Sequence, residues 1–242
     1  MRPTPGSTTD VETRHRPSLG APASLPASPS STSTSPWRSR GYLPHFDQPH
    51  LVQTLSFRLY DAVPEHVIES WKTALSRTKR KEQEQEIKLR KLIARYEDAG
   101  HGACWLRNPR IAALVEDALL HFDNQRYRLI AWCVMPNHVH GLIETWESWP
   151  LAGVLHSWKS YTALRANEIL RRSGDFWFRE YHDRFIRDGR HFRNAVKYIE
   201  QNPVKAGLVR APEEWRWSSA WWEKVERGKK EDAGRMPAVP GE

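Results

Sequence analysis

The sequence predicts an α+β fold: an antiparallel sheet of the ferredoxin-like kind, with helices packed on one face. Three observations carry this. Some short runs alternate between apolar and polar residues or are continuously apolar, as strands are. Longer runs repeat their apolar residues at helical spacing. The two kinds follow one another as strand, helices, strand, strand, helix, short strand, helix, with no internal repeat. A chain of 242 residues can bury one good core, which favours a single folded domain with appendages.

Residues 1–36 are dominated by Ser, Thr, Pro, Gly and Ala and carry almost no large apolar side chains, so a disordered tail is expected there. The folded domain is expected over 37–222, with a flexible C-terminal tail over 223–242. Leu51 to Tyr60 (LVQTLSFRLY) alternates as a strand does. Pro64 opens a helix in which Val67, Ile68, Trp71 and Leu75 share a face. Arg77 to Arg95 is a dense mixture of Lys, Arg, Glu and Gln, read as a long solvated helix, with a DNA-tracking arm as the other reading.

After the break at Ala99-Gly100-His101-Gly102, Pro109 to Phe122 places Ile111, Leu114, Val115, Ala118 and Leu119 on one helical side. Tyr127 to Met135 (YRLIAWCVM) is a nearly continuous apolar run, short enough to be a strand covered on both faces. Pro136-Asn137 marks a turn into His138 to Glu144 (HVHGLIE), so the two strands are expected to pair as a hairpin. Leu151 to Leu170 reads as a helix and Phe176 to Tyr181 as an irregular aromatic segment. Arg184 to Arg187 is a short strand candidate, and His191 to Gln201 a helix stopped by Asn202-Pro203.

Lys+Arg 37 against Asp+Glu 29 gives a formal net charge of +8 and a pI near 9.6, which points to a polyanionic partner, nucleic acid or a membrane surface. No apolar run approaches the roughly 20 residues that cross a bilayer, and the N-terminus lacks the apolar core of a secretory signal. A cytoplasmic protein with no membrane partner is therefore expected. The 2 cysteines, Cys104 and Cys133, form no CxxC, and neither a disulfide nor a zinc site is assigned to them.

His138 and His140 are separated by one residue on a strand, so both imidazoles leave the same face and can meet one metal ion. By themselves they also fit one packed and one solvated histidine. On the last helix, Phe192, Ala195, Val196 and Ile199 form a stripe that should face the sheet, with Tyr198 and Asn202 four apart on its flank. A side chain at that border can lean into a cleft between helix and sheet. Equally, Tyr198 can be an amphipathic residue at a core edge and Asn202 a helix stop.

VMPNHVHGLIE at 134–144, FWFREYHDRFIRD at 176–188 and YIEQNPVKAGLV at 198–209 resemble the signature blocks of the REP-associated tyrosine transposases, a group of HUH single-strand endonucleases. RGYLPHFD at 40–47, HGACWLRNPRIAALVEDALLHF at 101–122, LHSWKSYTALRAN at 155–167 and EEWRWSSA at 213–220 resemble the same group, so the likeness runs over roughly 40–222. The resemblance implies that His138 and His140 are the metal-binding pair, that Tyr198 is the nucleophile and that Asn202 is a third metal ligand. Tyr181 is the rival nucleophile, read as structural.

On this reading a divalent magnesium or manganese ion offsets charge on the scissile phosphate. Tyr198 attacks phosphorus, leaving a 5′-phosphotyrosine and a free 3′-hydroxyl. The partner is single-stranded or hairpin DNA, formed by repetitive extragenic palindromes, which places the protein at the nucleoid, as a monomer or homodimer. Trp158, Lys159, Arg165, Arg171, Arg172 and His182 are candidate DNA contacts, since aromatic rings stack on unpaired bases and cations track phosphates. Two alternatives stand beside it: a domesticated hairpin-binding protein that no longer cleaves, and a metal-dependent phosphodiesterase that uses water.

Overall fold

A computed structural model describes residues 37–39, 44–46, 48–78 and 81–234. The tail expected at 1–36 and part of the RGYLPHFD block lie outside the described residues, as do 235–242. Two short strands, β1 (Trp37–Ser39) and β2 (Pro44–Phe46), pair antiparallel. They precede a four-stranded sheet of β3 (Val52–Arg58), β4 (Tyr127–Val134), β5 (His138–Thr145) and β6 (His182–Phe185). Its order is β4-β5-β3-β6, antiparallel throughout. Helix α3 (Pro109–Leu120) joins β3 to β4 and α4 (Leu151–Leu170) joins β5 to β6, the ferredoxin-like succession.

Alternation decides which side chains go where. Leu55 and Phe57 of β3, Trp132 and Val134 of β4, and Val139 and Ile143 of β5 face α3 and α4, and form the larger core with Ile111, Val115, Leu155 and Trp158. The opposite face carries Ala131, Cys133 and Leu142, covered by Ala195 and Ile199 of α5 (Gly189–Lys205). The expected one-sided helix layer is made by α3 and α4, and α5 adds a second layer. The continuous apolar run of β4 is the cause, since a strand without polar alternation must be covered on both sides. Within the larger core the Glu116 carboxylate is buried but well served. It accepts hydrogen bonds from Trp132 Nε1 (3.2 Å), Trp222 Nε1 (3.1 Å) and Arg216 Nη1 (2.9 Å).

Local boundaries differ from expectation at four places. The charge-rich stretch becomes helical only at Glu82: α1 (Glu65–Ser76) ends before it, and α2 (Glu82–Asp98) runs through it to Asp98, burying Ile93 and Glu97 while Tyr96 meets Trp71 edge to face. The short strand begins at His182 rather than Arg184, because β6 pairs with β3 from Ser56↔His182 onward.

Helix α5 does not stop at Asn202: it runs to Lys205 with Pro203 inside it. Pro203 has no N–H for the Ile199 carbonyl, but the Asn202 amide nitrogen lies 3.5 Å from that oxygen and donates to Tyr198 O at 2.9 Å. Finally, the segment expected as a tail from 223 is helical as far as Gly234 in α6 (Ser219–Gly234), which Trp222 anchors to Glu116 and Trp132. Its Glu, Lys and Arg residues are good helix formers as well as good tail residues. Among the described residues no helix is long and apolar enough to cross a membrane.

Candidate metal and nucleophile site

The β4–β5 turn sets the site. Met135 N donates to His138 O at 2.8 Å across Pro136-Asn137, and Leu59 N donates to Asn137 O at 2.8 Å, tying the turn to the chain that follows β3. His138 and His140 then leave β5 on the α5 side of the sheet, 1% and 7% exposed, with their Nε2 atoms 2.9 Å apart. Asn137 is a residue that motif reading passed over. Its Nδ2 donates to His101 O (2.9 Å), which leaves its Oδ1 to accept from His138 Nδ1 at 2.7 Å. That bond puts the proton on Nδ1 and leaves the His138 Nε2 lone pair facing His140.

Burial holds both imidazoles neutral. It pushes His138 well below the ordinary histidine range, with His140 adding to the effect, and lowers His140 to about 4, with Lys205 adding. Asp98, at the C-terminal end of α2, brings Oδ1 to 3.8 Å from His138 Nε2. With a neutral imidazole this is not an ion pair. The ligand atoms of Asp98, His138 and His140 all lie within 4.8 Å of one another, a spacing that one divalent ion can span.

Tyr198 stands beside this cluster, its ring centroid 5.6 Å from that of His140 and nearly perpendicular to it. Lys205 holds its ammonium 4.3 Å from the centre of the Tyr198 ring. Burial, with the carboxylates of Asp98 and Glu97, pushes the phenol up to about 12, so it is protonated at neutral pH. Asn202, one turn on, is fully buried, and its Oδ1 has no hydrogen-bond partner. An orphaned buried carbonyl oxygen costs about 1–3 kcal/mol and is what a metal ligand looks like without its ion. The two neutral imidazoles and the Asp98 carboxylate are donors that one divalent ion can share.

The remaining candidates are dispersed. Trp158 is 3% exposed and donates from Nε1 to Tyr127 OH, so its ring packs in the core and cannot stack on a base. Lys159 donates to Phe178 O (2.6 Å) and Arg179 O (2.8 Å), which commits its ammonium to holding that segment. Arg165 and Arg171 are exposed, the former paired with Glu168, while Arg172 binds Asn167 Oδ1 and covers the Trp105 ring. All belong to α4 or its C-terminal end, on the far side of the sheet from the histidines. His182 stands on the histidine side, across β3 from His140. Tyr181 packs against the α3–α4 core.

Sequence reasoning missed Asp98, Glu97 and Lys205 as neighbours of the site. The two carboxylates lie some forty positions before the histidines, in a helix whose composition is that of a solvent face. Glu97 is buried with its Oε1 3.8 Å from Arg58 Nη1, and burial raises its carboxyl from 4.5 to about 7. A carboxyl raised in the folded chain binds its proton more tightly there than when unfolded. Its contribution to stability is therefore present below about 4.5 and lost as pH climbs to about 7, by at most about 3 kcal/mol. Urea unfolding of chelator-treated protein should show this loss between about pH 5 and pH 8, and Glu97→Gln should flatten it.

Residues 110–202 match the family described as Transposase IS200 like, a stretch that includes His138, His140, Tyr198 and Asn202 and excludes Asp98. The chain is 26% identical over 107 residues to a Haemophilus influenzae protein described as a REP-associated tyrosine transposase. That match covers 40% of this chain and 61% of the relative. Among solved structures, the chain is similar to a REP-associated tyrosine transposase bound to a REP hairpin, with TM-score 0.47 and 17% identity over 78% of this chain and 87% of the other. It is also similar to a protein from Deinococcus radiodurans described as a transposase, with TM-score 0.26 and 16% identity over 68% of this chain and 96% of the other.

Proposed function

We propose that this chain is a REP-associated tyrosine transposase, as its likeness to the IS200-like transposase family and to the Haemophilus influenzae protein supports, and that it cleaves and rejoins single-stranded DNA through a covalent link to Tyr198. The observation that carries the reading is the meeting of that phenol with the histidine pair: a ring 5.6 Å from His140, whose Nε2 is 2.9 Å from that of His138. A water-based hydrolase has no need of a tyrosine there. His138, His140 and Asn202 would hold a divalent magnesium or manganese ion, with Asp98 as a fourth donor. When bound, that ion supplies positive charge to the phosphate oxygens as they become more negative in in-line attack.

The chain's own groups do the rest. Tyr198 Oη forms a bond to phosphorus as the bond from phosphorus to O3′ breaks. The phenol loses its proton, O3′ gains one and leaves as a 3′-hydroxyl, and the 5′-phosphate stays on the tyrosine. Lys205, over the ring, offsets negative charge on the phenol oxygen and the phosphate. Asn137 keeps the His138 lone pair turned inward. An incoming 3′-hydroxyl reverses the step, so the phosphodiester energy is conserved in the adduct and no nucleotide cofactor is needed.

The substrate must offer an unconstrained backbone, which a single strand or the foot of a hairpin does. The resemblance to REP-associated transposases points to hairpin-forming palindromes of that kind.

The test is a denaturing gel of labelled hairpin DNA with single-stranded flanks, incubated with the protein and manganese. A labelled band that migrates with the protein, and whose label protease removes from that position, is expected. Cleaved DNA without such a band would favour the water mechanism, and bound but uncut DNA a domesticated binder.

A further inference from the structure

We infer that Ser219 is a positioning residue for the nucleophile: by holding Glu200 it sets how α5 is turned against the sheet, and so where the Tyr198 phenol stands beside His140. The inference rests on the cleavage reading above, in which the block EEWRWSSA at 213–220 has no part.

Two positions along a helix make about 200° of turn, so Glu200 and Tyr198 leave opposite flanks of α5. Ile199, between them, is buried in the second core. The Tyr198 flank borders the cleft that α5 forms with α2, β3 and β6. The Glu200 flank turns toward β4, the edge strand, where Ser219 lies.

The chain from Trp215 to Ser219 covers that edge. Val134 N donates to Trp217 O (2.8 Å), Trp215 Nε1 donates to Val134 O (3.0 Å), and Cys133 pairs with Ser218 in a single β-bridge. Ser219, fully buried, ends the run. Its hydroxyl accepts from Trp132 N (3.3 Å) and donates to Glu200 Oε1 (2.8 Å). One side chain thus ties the nucleophile's helix to the backbone of the sheet.

A directional bond on this flank matters because the other contacts leave rotation loose. Ala195 and Ile199 hold α5 down by apolar contact, which has no preferred direction. The Asn202 amide donates to carbonyls of α5 itself, so those bonds fix nothing relative to the sheet. Side chains end about 5–6 Å from a helix axis, so a roll of about 10° carries the tip through about 1 Å. A misplacement of that size can cost about 10²-fold in rate.

The experiment measures single-turnover adduct formation by the full chain at saturating hairpin DNA and manganese, at a temperature where circular dichroism shows each variant folded. Ser219→Ala and Glu200→Ala should each slow it by about tenfold or more, with DNA dissociation constants within about threefold of the unaltered chain's. A serine that served stability alone would change the melt and leave the rate of the folded molecules as it was. Glu200→Gln keeps an oxygen that accepts from Ser219, and should stay within about threefold of the unaltered rate. The double alanine variant should be no more than about threefold slower than the slower single, since both changes remove one bond.

Glu200 is half-buried on a helix flank, so its two variants carry the test if Ser219→Ala does not fold. Alanine variants within about threefold of the unaltered rate, losses that multiply in the double variant, or a Glu200→Gln chain as slow as Glu200→Ala each overturn the clamp while leaving cleavage standing. Absence of adduct in the unaltered chain removes the cleavage reading and the clamp with it.

Discussion

Replacing Tyr198 with phenylalanine should abolish the covalent protein–DNA adduct, a fall of at least about 10³-fold in its rate of formation. The substitution is clean because the ring's neighbours do not depend on the hydroxyl. The contact with His140 and the Lys205 ammonium both involve the ring, and the phenol oxygen makes no hydrogen bond within the described residues. The side chain is 42% exposed, so stability should change by no more than about 0.5 kcal/mol. Loss of adduct can then be assigned to loss of the nucleophile. Tyr181→Phe is the control: that residue packs on the α3–α4 side of the sheet, and the adduct should persist. Single-turnover gel assays with a thermal melt of each variant measure both effects.

His138→Ala or His140→Ala should weaken manganese binding and lower the rate of adduct formation by about 10²-fold or more. Each substitution removes one of two neutral imidazoles whose Nε2 atoms lie 2.9 Å apart, and the other donors we propose, Asp98 and Asn202, come from two different helices. Asn137→Ala should act more mildly, by about 10- to 100-fold in metal affinity, because it frees the His138 tautomer and ring without removing the ligand. Manganese titration by calorimetry gives the order: unaltered chain tightest, then Asn137→Ala, then either histidine variant.

Much of this was legible because period and position coincide. Alternation on β5 places His138 and His140 on one face, and the stripe of Phe192, Ala195, Val196 and Ile199 turns α5 toward the sheet, as packing in the second core bears out. The same period carries Tyr198 and Asn202 along its flank. What escaped the sequence came from tertiary contact. Asp98 and Glu97 end a helix whose charge pattern is that of a solvated arm, and only the packing of α2 beside the sheet brings them to the histidines.

Proline usually bars the residue before it from the helix, whereas here the Asn202 side chain helps satisfy the carbonyls that Pro203 leaves open. Trp158 illustrates the opposite error. Aromatic and basic residues on one helix suit a nucleic-acid surface, but the indole of Trp158 is a core residue hydrogen-bonded to Tyr127. Composition cannot distinguish a stacking ring from a packed one.

The most direct measurement is peptide mass spectrometry of the trapped adduct after nuclease and protease digestion. The residual nucleotide mass should lie on the peptide containing Tyr198, attached through its phenol oxygen. A nucleotide found instead on Tyr181, or on no tyrosine although the DNA has been cut, would contradict the account.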